Sequence, residues 1–243
     1  MMIAKLDQFQ KTNKEWLFYG KWISLFLAII TLIAFAFAMV AIPISGSNAP
    51  ANNNIHYPYL NTFSQYPKDF IWQYIVLFQL IVFVLFSLIL KQNVENNKRL
   101  YANISNSFAL LSAVVLLITY YCQVMTVPVS LAKNETDGLA LIIQYNPHGL
   151  FIAMEELGYI LMNLALAALI PIFSGRKNGS FSIRLLLIIS FLSAVVVFIT
   201  ISILFGLEKQ DRFEIAIISI DWLTLIALGI LLFRLYGKVE KTA

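Results

Sequence analysis

The chain has 243 residues, 60% hydrophobic and only 12% charged, with a formal net charge of +4 and a mean hydropathy of +0.79. A water-soluble domain must spread charge over every outer face, whereas this chain gathers it in short clusters between long neutral runs. A soluble fold is excluded and lipid is the expected solvent. The excess of basic residues is scattered without interleaved aromatics, which argues against a nucleic-acid site.

No Lys, Arg, Asp or Glu occurs between Lys21 and Lys68, Asp69 and Lys91, Arg99 and Lys133, or Arg184 and Glu208. Each interval can hold a spanning helix, which needs about 20 apolar residues. Two further apolar runs carry acids: 149–173 contains Glu155 and Glu156, and 215–233 contains Asp221. The pattern predicts an all-α polytopic membrane protein, a six-helix bundle in one integral membrane domain over 1–243. The expected spans are 22–44, 70–90, 107–130, 148–173, 184–206 and 214–235.

The first span follows basic residues and precedes Ser45, Gly46, Ser47 and Ala49, as a signal peptide would. Its apolar stretch exceeds the roughly 7–15 residues of a signal core, so a retained anchor is expected. The loop 44–69 carries His56, Tyr57, Tyr59, Phe63 and Tyr66, which predict an interfacial aromatic belt or, alternatively, a lid. Loops 91–106 and 174–183 are too short for a soluble domain. Cys122, the one cysteine, has no disulfide partner and is expected as a small buried side chain.

Counting Lys and Arg by alternate loops tests the six spans independently of hydropathy. Lys5, Lys11, Lys14, Lys21, Lys91, Lys98, Arg99, Arg176, Lys177, Arg184, Arg234, Lys238 and Lys241 fall on one side, thirteen in all. Lys68, Lys133, Lys209 and Arg212 make four on the other. The richer side is expected to be cytoplasmic, with both termini inside.

Asn146 and Pro147 form an expected start for the fourth span, Asn as cap and Pro as first helical residue. Glu155 follows Pro147 by eight residues, about 12 Å along a helix. Asp221 lies equally far along the sixth span from Phe213, so the two acids are expected at similar depth. A charged carboxylate facing acyl chains costs ~2.5–3.5 kcal/mol or more, so these groups must turn toward the bundle, a wet cavity or each other. Tyr159 shares a face with Glu155 at i,i+4, His148 precedes it on the same stripe, and Asn163 aligns with Glu156 at i,i+7. Tyr120, Tyr121 and Gln123 from the third span, with Gln73 and Gln79 from the second, add polar groups near the same level.

The expected ligand or proton site is therefore an outward-facing pocket. Glu155, Glu156 and Asp221 would be its proton or cation sites, Tyr159, Tyr120, Gln123 and Asn163 its hydrogen-bonding walls, and His148 would stand at the mouth. A small solute, an ion or a lipid headgroup would occupy it, and membrane lipid surrounds it. Two alternatives remain open: an enzyme acting on lipid, with an acid and His148 as general acid and base, or an accessory subunit whose carboxyls only fasten helices. No HExxH and no GxSxG occurs and only two histidines are present, so no metal and no cofactor is expected.

The segment QYNPHGLFIAMEELGYILMN, residues 144–163, resembles uncharacterised prokaryotic multi-pass membrane proteins in which a QYNPHG-like stretch precedes a helix with an acidic pair and GY. The likeness extends from about Tyr66 through FSG at 173–175 to ISIDWL at 218–223. It implies a prokaryotic inner (plasma) membrane setting and carries no activity with it.

Overall fold

The computed structural model describes residues 2–41, 55–174 and 179–242, with the backbone alone for 2–13, 210, 241 and 242. Ser45, Gly46, Ser47, Ala49, the first part of the loop 44–69, and Arg176, Lys177 and Asn178 lie outside the described residues. Among those described, all regular structure is helical. The α-helices are α1 (Met2–Val40), α2 (Ile71–Gln92), α3 (Arg99–Met125), α4 (Val127–Lys133), α5 (Leu139–Ile142), α6 (Leu150–Ala167), α7 (Ser180–Phe205) and α8 (Gln210–Thr242). Six helical segments are long and apolar enough to cross a membrane, so the protein is a helical multi-pass membrane protein.

Several boundaries differ from the hydropathy pattern, for local reasons. Helix α3 starts at Arg99, well before 107, because the polar residues of its first turns find partners: Ser87 Oγ donates to Asn106 Oδ1 at 2.8 Å. Helix α6 stops at Ala167, before 173, because Pro171 disfavours helix at the residue before it. Short backbone bonds such as Ile172 N to Leu169 O, 3.0 Å, turn the chain there instead. At its start, Asn146 does not cap α6. Its Oδ1 accepts from His148 N (3.0 Å) and its Nδ2 donates to Ala140 O (2.7 Å), which holds a turn ahead of the helix. The first helical residue is Leu150, after Gly149 in extended conformation.

Packing arranges α1, α2, α3, α6 and α8 in a closed ring, each against the next, with α7 laid outside against α6 and α8. Two glycines set close approaches. A Cβ on Gly229 would lie 2.4 Å from Ser24 O and 2.8 Å from Ala28 Cβ, so α1 and α8 touch backbone to backbone there. A Cβ on Gly158 would lie 2.4 Å from Leu116, which fixes α6 against α3, and Ser112 Oγ donates to Gly158 O at 2.7 Å across the same seam. Small residues at such crossings are how helices gain contact in lipid, where apolar burial gives no drive.

Lys21 Nζ meets Glu240 Oε2 at 2.8 Å, which puts the N-terminal part of α1 and the C-terminal part of α8 at the same end. The opposite end is covered by residues 55–70 and 124–145, where Ile55, Tyr59, Phe70, Val124, Ile143 and Tyr145 bury a second apolar cluster. Cys122 is exposed rather than buried. At that level Tyr120, Gln123 and Val124 fill the inner face of α3, and a small uncharged thiol loses little by facing acyl chains.

Candidate functional site

Near the covered end, the ring encloses a cavity of about 270 Å³. Its walls come from the last turns of α1, the starts of α2, α6 and α8, and the turn before α6. Three acids line it, Asp69, Glu155 and Glu214, together with the rings of Trp72, Trp222, Phe151, Phe35 and Tyr145. Among the described residues no Lys, Arg or His lines it.

Helix registry accounts for the convergence. Helices α6 and α8 run the same way, and Glu155 stands five residues into α6 while Glu214 stands four into α8, about 6–8 Å from each start. Both side chains are buried, at 1% and 5% exposure. The Glu155 and Glu214 carboxyls lie side by side, with the Tyr120 hydroxyl next to Glu155, and among the described residues no N–H donor reaches either oxygen of Glu155 or Oε2 of Glu214. The electrostatic neighbours of Glu155 are Tyr120, Glu214 and Glu156, all uncharged or acidic. Asp69 is tied in differently: Tyr145 Oη donates to its Oδ2 at 3.0 Å. Burial first, and the Asp69 carboxylate second, push the Tyr145 phenol well above its ordinary range, so it stays a donor.

The residues singled out in the sequence divide into groups. Glu155 lines the cavity, whereas Glu156, one residue and about 100° on, turns away toward Lys209 and Asp211. Tyr120 and Tyr159 are fully buried behind the cavity, their hydroxyls 2.9 Å apart. Asp221 is one acid station deeper, not level with Glu155, because α6 begins at Leu150 rather than Pro147 and α8 at Gln210 rather than near Phe213. Its Oδ1 accepts from Asn163 Nδ2 at 2.7 Å, and the same amide donates to Ser190 Oγ at 3.2 Å, joining α6, α7 and α8. Asp221 Oδ2 is buried without a hydrogen-bond partner among the described residues, and Trp222 Nε1 is buried beside the Tyr159 hydroxyl. Trp222 stands between the two stations, edge-on to Tyr159 at 6.2 Å and to Trp72 at 6.2 Å.

Other polar groups serve as fasteners. Gln123 donates its amide to Ile142 O (3.0 Å) and accepts from Gln144 N (3.2 Å), while Gln73 donates to Gln144 Oε1. Gln79 donates to Thr31 Oγ1 at 3.2 Å. His148 is exposed and does not line the cavity, so it is not positioned beside these carboxyls as a general base. Lys209 and Arg212 lie over rings of α7, Lys209 Nζ 5.6 Å from the Phe198 centroid and Arg212 Cζ 4.1 Å from that of Phe205.

Two lining acids are not singled out by the sequence pattern. Glu214 sits seven residues before Asp221, so both fall on one stripe of α8, a spacing that was available as a signal. Asp69, next to Lys68, reads as a rim charge, and only the packing of Tyr145 over it reveals its burial. Among the described residues no three His, Cys, Asp or Glu side chains are grouped to hold a metal ion. Compared with known proteins, the chain matches no family model, no curated protein and no solved structure.

Proposed function

We propose that the protein is a prokaryotic inner-membrane protein, with both termini cytoplasmic, that binds a small cationic solute in this cavity and passes it across the bilayer. The observation that carries the reading is the pairing of Glu155 and Glu214 in one cavity, with Asp69 elsewhere in its wall and no Lys, Arg or His among the described lining residues. Two buried carboxyls side by side cost stability. Helices that needed only fastening would gain more from amides or hydroxyls, as Asn163 and Ser190 show nearby. A cation between the Glu155 and Glu214 carboxyls, in a low-dielectric pocket walled by aromatic rings, meets both charge and ring-face attraction.

Passage across the bilayer is supported by the second station. Asp221 and Asn163 lie about two helical turns deeper, past the Tyr120–Tyr159 pair and Trp222, on the same helices α6 and α8. An intramembrane acid facing the bundle interior is characteristic of ion and proton paths. The cytoplasmic placement of the termini rests on the thirteen-to-four distribution of Lys and Arg, and the prokaryotic setting on the QYNPHG resemblance.

Tetramethylammonium, permanently charged and small, is a suitable probe. Proteoliposomes holding the wild-type chain should take it up saturably, and Glu155→Gln or Glu214→Gln should each lower the initial rate about tenfold or more, equivalent to ~1.4 kcal/mol. Uptake equal to that of empty liposomes, or unchanged in both variants, would contradict the reading.

A further inference from the structure

The cavity has a side opening, and its position defines the kind of cation it suits. Helices α1 and α8 run antiparallel in tight contact where Gly229 meets Ser24 and Ala28 and Trp22 meets Phe233 (5.7 Å between centroids). Toward the covered end Phe35 packs on Trp222, at 5.9 Å. Past this pair, Ala38 and Met39 of α1 and Ile215, Ile218 and Ser219 of α8 line the cavity from both edges. Met39 is 71% exposed and Ile215 45% exposed, so residues that wall the cavity are at the same time on the outer surface of the bundle. Met39 is next to the last residue of one candidate membrane span and Ile215 four residues into another, which puts this surface at the border of the apolar layer. One end of the space is therefore apolar and reaches the outer surface of the bundle, while the other holds the buried Glu155 and Glu214 carboxyls.

We infer that the ligand is an ammonium group carried on an alkyl or acyl chain, which enters sideways from the bilayer between α1 and α8, its head against Glu155 and Glu214 and its tail left in lipid. The inference rests on the cation-binding reading above and narrows it. A water-borne cation must pass the covered end, where residues 55–70 and 124–145 bury an apolar cluster. A tailed cation avoids that barrier, because partitioning concentrates it at the mouth. Two sources share this chemistry: a free alkylammonium and the headgroup of an aminophospholipid.

The test uses the full chain in phosphatidylglycerol nanodiscs, with binding to empty discs subtracted. Dodecyltrimethylammonium, kept below micelle formation, should bind saturably and more than about tenfold tighter than tetramethylammonium. Glu155→Gln should weaken both probes alike. Ser219→Trp, which fills the mouth without touching the carboxyls, should weaken the tailed probe alone, and Ile218→Ala, which opens it, should not. Comparable affinity for both probes, or a Ser219→Trp variant that binds the tailed probe normally, would overturn lateral entry while leaving the cation pocket standing. Failure of both probes to bind saturably would overturn the cation pocket itself. Adding phosphatidylethanolamine to the discs distinguishes the sources: competition with the tailed probe assigns the site to a lipid headgroup, and its absence assigns it to a free amphiphile.

Discussion

At the scale of single residues, the carboxyls fall into two kinds, and substitution separates them. Glu155 meets no N–H donor among the described residues and lies beside the Tyr120 hydroxyl and the Glu214 carboxyl, so glutamine removes the carboxyl from the cavity while keeping an oxygen and a donor toward both neighbours. Glu155→Gln should keep or raise the melting temperature in detergent while lowering cation binding. Asp221 is a bonded acid, and Asp221→Ala strands the Asn163 amide, which keeps only Ser190. That change should destabilise by about 1–3 kcal/mol, whereas Asp221→Asn, which retains an acceptor, should cost less. Thermal melts of the three variants beside the wild-type chain check both statements. Asp221→Ala as stable as Asp221→Asn would show that the Asn163 bond contributes little. Much of this division was illegible in the sequence. That an acid must face inward followed from the cost of charge in hydrocarbon, but which acid meets which neighbour depended on where each helix starts. A start of α6 at Leu150, later than the hydropathy boundary, and of α8 at Gln210, a few residues ahead of it, exchanged Asp221 for Glu214 as the group level with Glu155.

Among the elements, the seams that hold α1 on α8 and α6 on α3 are the points of greatest sensitivity. Gly229→Val would push against Ser24 O and Ala28 Cβ, atoms that a backbone shift alone can move. It should destabilise by roughly 2 kcal/mol or more and widen the mouth of the cavity, read as a lower melting temperature together with greater labelling of a cysteine placed at Ile218. Unchanged stability would mean that the two helices are not in contact at that level. Gly158→Ala is milder, since its first obstacle is the flexible end of Leu116. The six spans were readable because a soluble fold rarely contains charge-free apolar runs of about 20 residues, the length that a bilayer core demands. Their ends were not, because polar side chains such as Asn106 and Asn146 find partners outside their own helix, and hydropathy does not register a partner. The closed ring of five helices, with α7 outside it, also left no trace in the sequence: α7 is as apolar as the rest, and lipid and protein faces are alike in hydrophobicity.

Over the whole molecule, the bundle is tightly closed toward the end where α1 begins and α8 finishes, and hollow toward the other. Its topology is testable on its own. Cysteine reporters at Lys14 and Lys238, with Cys122 replaced by serine, should be blocked by impermeant reagent only in inverted vesicles, as both termini inside requires. Labelling in right-side-out cells would show the opposite orientation without disturbing the fold. The central claim, that the cavity carboxyls are the ligands of a cation, is most directly measured by infrared difference spectroscopy of the reconstituted protein on adding tetramethylammonium. Cation binding by these carboxyls predicts a change in their stretching bands that is saturable, is lost in the Glu155→Gln/Glu214→Gln double variant, and survives in Glu156→Gln. A spectrum without carboxyl bands, or one that the double variant leaves intact, would contradict it.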